Sequence, residues 1–209
     1  SEYQGGNLLA TLPKEIGKLS KLRELELSNN RLEEIPSEIT LLKSLEGLWL
    51  SSNKLRAVPF MLCGLKNLKW LGLAFNNFKE APRELSDLVN LKALSLSGNR
   101  LLTIPVEFGN LKKLQLLFLE NNQLKEIPLE IARLNNLTRL SIHGNPLRYP
   151  PEIVEGGDEE IWAYLRVLEG AKCEWISKMV IIGEGGVGKT SLLRALRGEE
   201  AAIGNLVAD

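Results

Sequence analysis

Leu22-Arg23-Glu24-Leu25-Glu26-Leu27-Ser28-Asn29-Asn30-Arg31-Leu32-Glu33-Glu34-Ile35-Pro36 decides the fold of this chain. Leu25 and Leu27 alternate with polar neighbours, which is the period of a short strand with one face buried. Asn30 stands where the chain turns out of that strand, and Pro36 where it passes to the opposite side. The asparagine recurs at Asn7, Asn53, Asn76, Asn99, Asn122 and Asn145, and the proline at Pro13, Pro59, Pro82, Pro105, Pro128 and Pro151. Both series step by 23 residues without an insertion or deletion. Two residue types locked to one period define a structural unit copied along one axis.

Within each unit the apolar residues fill a coil that cannot bury its own leucines, so stability must come from neighbouring coils. The asparagine amide carries two donors and an acceptor, and stacked on its equivalents it can satisfy backbone groups in the buried turn. The proline fixes the backbone as the chain enters the convex side. This is the leucine-rich repeat pattern, and the resemblance covers residues 7–154. The expected fold is α/β: a solenoid of 23-residue repeats with a parallel concave sheet, then a C-terminal helix and a truncated P-loop fragment.

The two ends differ. Asn7 to Pro13 reads as the back half of a repeat whose strand is missing, and residues 1–6 form a short polar tail. The chain is therefore expected to begin inside a longer array, with self-association as a homodimer through uncapped ends as the consequence. After Val154 the pattern stops, and Asp158 to Gly170 reads as a helix with Asp158 at its cap, acidic residues in its first turn and Gly170 at its end. Residues 155–177 are assigned to this capping and connecting segment.

A second signature occupies residues 178–209. Met179-Val180-Ile181-Ile182 leads into Gly183-Glu184-Gly185-Gly186-Val187-Gly188-Lys189-Thr190-Ser191, followed by Leu192-Leu193-Arg194-Ala195-Leu196. An apolar strand, a glycine-rich loop and a helix come in the order that a P-loop demands. Gly183, Gly185, Gly186, Val187 and Gly188 would cradle phosphates with their backbone N–H groups. Lys189 would reach the β- and γ-phosphates, and Thr190, with Ser191 beside it, would hold Mg²⁺ in an intact domain.

Repeats, then a helical connector, then this loop resembles the Roco family, whose members carry a Ras-like GTPase domain after the repeats. That resemblance implies GTP or GDP with Mg²⁺ as cofactors of the parent protein. The family's switch threonine, Asp-x-x-Gly and Asn-Lys-x-Asp do not follow Ser191. The chain alone is therefore expected to bind no cofactor and to hydrolyse nothing. Two rival expectations remain: a GTP-hydrolysing enzyme completed by missing sequence or another chain, and a structural scaffold with a non-functional P-loop. Without its sheet, the strand Met179–Ile182 is expected to dock on the solenoid or pair with another copy. Disorder is the alternative, and refolding, for example as a helix continuing the connector, is a further one.

Net charge is zero and the pI is about 6.6, which favours neither nucleic acid nor an anionic membrane as partner. The cysteines, Cys63 and Cys173, lie far apart, without the terminal clusters that extracellular members of the repeat superfamily carry, so a cytoplasmic location is expected.

The expected partner is a protein, with guanine nucleotide a partner only of a complete GTPase domain. Strand residues between the leucines face the concave side. There Trp49 and Trp70, with Phe75 near the rim, form one aromatic spot, Leu116 and Phe118 form a second apolar spot, and Arg139 and His143 are further candidate contacts. Exposed aromatics in an apolar patch are typical contact anchors. His143, the only histidine, has no second His or Cys in register, which argues against a metal site. Glu15, Glu38, Glu84, Glu107 and Glu130 recur on the convex side as a solvated row.

Overall fold

The computed structural model describes residues 8–57 and 60–181. Each coil contributes a three-residue strand: β1 (Glu24–Glu26), β2 (Gly47–Trp49), β3 (Trp70–Gly72), β4 (Ala93–Ser95), β5 (Leu116–Phe118) and β6 (Arg139–Ser141). They form one parallel sheet in sequence order, and each residue pairs with the one 23 positions on, as in Glu24 with Gly47 and Leu25 with Leu48. The convex side carries 3-10 turns over Lys14–Lys18, Ser37–Leu41, Phe60–Gly64, Arg83–Asp87, Val106–Asn110 and Leu129–Arg133.

The proline explains those turns. Pro36, Pro82 and Pro105 hold φ near the ring's fixed value, at −67°, −68° and −64°, just ahead of the first turn residue. Each proline carbonyl then accepts the first 3-10 hydrogen bond, from Ile39, Leu85 and Phe108 respectively. A residue that lacks a donor costs nothing here, because only its carbonyl is used.

Between sheet and turns lies one continuous core. Leu48, Leu71, Leu94 and Leu117 are buried in the inner strands, whereas Leu25 in the edge strand β1 is only part-buried. The same residue type is buried where a coil lies on both sides and less so where one side is open, which shows that neighbours supply the burial. Phe78 and Phe108 replace aliphatic residues of the pattern and are fully buried.

The asparagine ladder forms as its chemistry requires. Asn99 Nδ2 donates to Leu73 O at 3.0 Å, to Leu96 O at 2.9 Å and to Ser97 O at 3.2 Å, while its Oδ1 accepts from Phe78 N at 3.1 Å. Asn53, Asn76, Asn122 and Asn145 make the same set one coil apart. Each amide thus bridges two coils and supplies donors to buried turn carbonyls.

Past β6 the chain forms α1 (Pro151–Glu155) and α2 (Asp158–Ile181). By its contacts the chain separates into Ser1–Arg166 and Val167–Asp209. Within the first unit, Ile161 and Leu165 of α2 join the solenoid core. Tyr149 adds a polar closure: its hydroxyl accepts from Ile127 N at 2.8 Å and donates to Ile127 O at 3.2 Å. Of the second unit, the described part is the rest of α2.

Three expectations differ here. Asp158 starts α2 but turns its carboxylate to β6 instead of capping the helix, and Gly170 does not end the helix, which runs on through Ile181. Met179–Ile181 are thus helical and not the opening of a strand. A lone strand leaves its N–H and C=O groups to water, whereas a helix pairs them within itself. Gly170 has open space around it, and a helix-interior glycine costs only about 1 kcal/mol. Ile182 and the loop from Gly183 to Ser191, including Thr190, the expected Mg²⁺ ligand, lie outside the described residues.

Candidate protein-binding surface on the concave face

Register brings the first aromatic spot together. Trp49 lies opposite Gly72, and Trp70 opposite Gly47, on adjacent strands. The Trp49 ring lies flat: a Cβ on Gly47 would stand 2.4 Å from its Cη2, and one on Gly72 would stand 3.0 Å from its Cδ1. Gly47 thus leaves room that the indole occupies, and an added Cβ at Gly72 would be tight against it. Trp49 ends part-buried, while Trp70 stands exposed with Lys69 Nζ 5.8 Å from its ring centroid. Lys69 also binds Glu46 Oε2 at 2.7 Å, and that hydrogen bond holds the Glu46 carboxyl below its usual range.

Phe75 sits at the strand end in a left-handed conformation, φ 53°, and is 59% exposed. Its counterparts in other coils are Asn29, Ser52, Gly98, Asn121 and Gly144, mostly types that tolerate this backbone. An exposed aromatic there is strained and unburied, a combination that clusters at functional positions. Its ring lies against Gly98, where an added Cβ would meet it at 2.4 Å.

The second spot lies two strands on. Leu116 and Phe118 are half-buried, and the Arg139 guanidinium stands 5.6 Å from the Phe118 ring centroid. Between the spots, β4 presents Ala93 and Ser95, flanked by buried Ala74 and Ser97. The concave face is thus a trough with a small-residue floor and an aromatic wall on each side.

His143 belongs to a different feature. Its Nδ1 lies 3.1 Å from Asp158 Oδ2 and 3.2 Å from Ser141 Oγ, and the Ser141 hydroxyl itself donates to Asp158 Oδ2 at 3.1 Å. The residue types are those of a hydrolytic triad, but the arrangement is not. A triad needs the histidine to bridge serine and aspartate through its two different nitrogens; here both converge on Nδ1. The cluster lines a shallow cavity of about 420 Å³ with Arg139 and Trp162, and its work is to close the end of the sheet.

Nothing else among the described residues is arranged for chemistry. No group of His, Cys, Asp and Glu side chains there could hold a metal ion. Cys63 is buried and its thiol is pushed up to about 11, so it is an inert apolar packer at neutral pH. No described helix is long and apolar enough to cross a membrane.

The repeats match the family model described as leucine rich repeat over residues 20–78 and 89–147. Among solved structures, the chain is similar to an LRR protein of Leptospira interrogans, at 43% identity and TM-score 0.67, over 72% of this chain and 38% of that one. It is similar to the plant peptide hormone receptor RGFR1 in complex with RGF2, at 35% identity and TM-score 0.60, over 68% of this chain and 24% of that one. It also resembles the ectodomain of the receptor kinase GASSHO1/SCHENGEN3 from Arabidopsis thaliana in complex with CASPARIAN STRIP INTEGRITY FACTOR 2, at 38% identity and TM-score 0.59. That match covers 66% of this chain and 17% of the receptor. The chain spans well under half the length of these proteins. No curated protein matches it.

Proposed function

This chain belongs to the leucine-rich repeat family, and from that premise we propose that it is a protein-interaction module whose concave trough binds an extended segment of a partner. The observation that carries the reading is the exposed, backbone-strained Phe75 at the end of the strand that carries exposed Trp70. Such a residue weakens the free module and gains its value in a complex. Two of the similar structures are receptors solved with RGF2 and with CASPARIAN STRIP INTEGRITY FACTOR 2, and this supports a peptide-like ligand.

The motif from Gly183 to Ser191 supports placing the module next to the GTPase domain of a Roco-like protein. On that reading its activity is binding, nucleotide belongs to the parent, and the cysteine pattern supports a cytoplasmic location. Calorimetric titration with GDP and Mg²⁺ tests the nucleotide part; micromolar affinity of this chain alone contradicts it.

The binding part is tested with peptides selected from a random display library on the immobilised chain. Trp70→Ala combined with Phe75→Ser should abolish binding of the selected peptides. If they bind this folded variant as well as the parent, the trough is not the binding surface.

A further inference from the structure

A second surface runs along the side of the solenoid that follows the asparagine ladder. Residues one and three places after the ladder asparagines flank a buried apolar residue such as Leu32, Leu55, Phe78 or Leu101, and the cations among them are exposed beside it. The first column holds Arg31, Lys54 and Arg100; the second holds Arg56, Lys79 and Lys125. Their backbones are locked in register, with Arg31 N donating to Leu9 O, Lys54 N to Leu32 O and Arg100 N to Phe78 O. The columns therefore advance by roughly one strand spacing, ~4.8 Å, per coil.

None of these six cations forms an ion pair among the described residues, although Lys14, Lys66, Lys69 and Arg83 on other faces do. With a net charge of zero, composition does not force unpaired cations onto one side. At mid-track, Arg56, Asn77, Lys79 and Arg100, from three successive coils, line an open cavity of about 530 Å³. Arg56 also lines a cavity with Glu33 and Glu34, but the mid-track cavity has no acidic lining residue; clustered cations there form an anion-binding field, and guanidinium groups match a carboxylate with two parallel donors.

The flanks decide which anion fits. Glu34, Glu80 and Glu126 run in the next column, and Glu33 heads the second. A duplex or a membrane plane would lie over those carboxylates, whereas an extended peptide is narrow enough to follow the cations. Leu102, 53% exposed within the second column, adds an apolar contact that a peptide side chain can use. We infer that this lateral track binds an acidic peptide segment with Asp or Glu at alternating positions, one carboxylate seated in the Arg56–Lys79–Arg100 cavity. This surface is separate from the concave trough and does not depend on it.

The test uses the full chain and a fluorescein-labelled Asp/Glu-alternating peptide of about ten residues, long enough at ~3.3 Å per residue to cross the track. Fluorescence anisotropy should show saturable binding that weakens on the order of tenfold as salt rises from about 50 to about 300 mM. Arg56→Glu, Lys79→Glu and Arg100→Glu together should abolish it while circular dichroism stays unchanged, and Arg100→Gln alone should weaken it if the triple variant does not fold. Trp70→Ala should leave it intact, so the trough and the track fail separately. Absence of saturable binding, retention of binding by the charge-reversed protein, or tighter binding of a single-stranded oligonucleotide or phosphatidylserine vesicles overturns the inference.

Discussion

Asp158 Oδ1 accepts the N–H of Ile142 at 3.1 Å, in the place where a seventh strand would have offered a backbone carbonyl. In the preceding coils the equivalent N–H groups of Leu27, Leu50, Leu73, Leu96 and Leu119 donate to Trp49, Gly72, Ser95, Phe118 and Ser141 carbonyls. The helix thus ends the sheet with a side chain that imitates the missing backbone. The same carboxylate takes the Ser141 hydroxyl at 3.1 Å, so one residue closes two positions of the exposed edge.

Replacing that carboxylate exposes its value. Asp158→Ala should destabilise the solenoid by about 1–3 kcal/mol, because the Ile142 N–H loses its partner while the Ser141 hydroxyl keeps only His143. Asp158→Asn keeps an acceptor and should cost less. Urea unfolding followed by circular dichroism measures both, and equal midpoints for Asp158→Ala and the parent would dismiss the cap.

The ladder makes a parallel claim inside the stack. Asn99→Ala removes the acceptor of Phe78 N and the donors to Leu73 O and Leu96 O, all buried. A loss of about 1–3 kcal/mol is expected. Calorimetric melting decides it, and an unchanged midpoint would refute the ladder's role.

Gly47 is held open by the indole above it. Gly47→Val places carbon where the Trp49 ring now lies, 2.4 Å from Cη2 for the Cβ alone. The ring must leave, at a cost of roughly 1–3 kcal/mol. Tryptophan emission should shift to longer wavelength as Trp49 enters water, and an unshifted spectrum would contradict the flat packing.

Phe75 offers the opposite sign. Phe75→Asn puts a residue that tolerates positive φ at φ 53° and gives up a side chain that is 59% exposed. The variant should gain about 1 kcal/mol of stability and lose affinity for concave-face ligands. Melting and peptide binding measured on one sample check both; a variant that is less stable and binds as before contradicts the assignment of Phe75 to function.

Much of this could be read from spacing alone. Asn30 and Pro36 with their equivalents predict coil length, strand position and the bridging amides, because a constant period leaves one register open. The left-handed position of Phe75 was also readable, since Asn29, Gly98, Asn121 and Gly144 share it. A second, broken ladder was missed: Asn67, Asn90 and Asn136 donate to Lys43 O, Lys66 O and Lys112 O of the preceding coil. Ser44 and Lys113 interrupt its period and hide the signal. The cap by Asp158 lies 16 residues from Ile142 outside any repeat, and no periodicity reports it. The length of α2 is not legible in the sequence, because Gly170 and the apolar run after it read as stop and strand, whereas the helix runs on through Ile181.

The most direct test of the central claim is hydroxyl-radical footprinting of the chain with and without a selected peptide, read by mass spectrometry. Trp70, Phe75 and Phe118 should lose reactivity together on binding, while Phe60 on the convex side keeps its own. Protection of Phe60 with Trp70 and Phe75 unchanged would place the ligand elsewhere and remove the trough from the account.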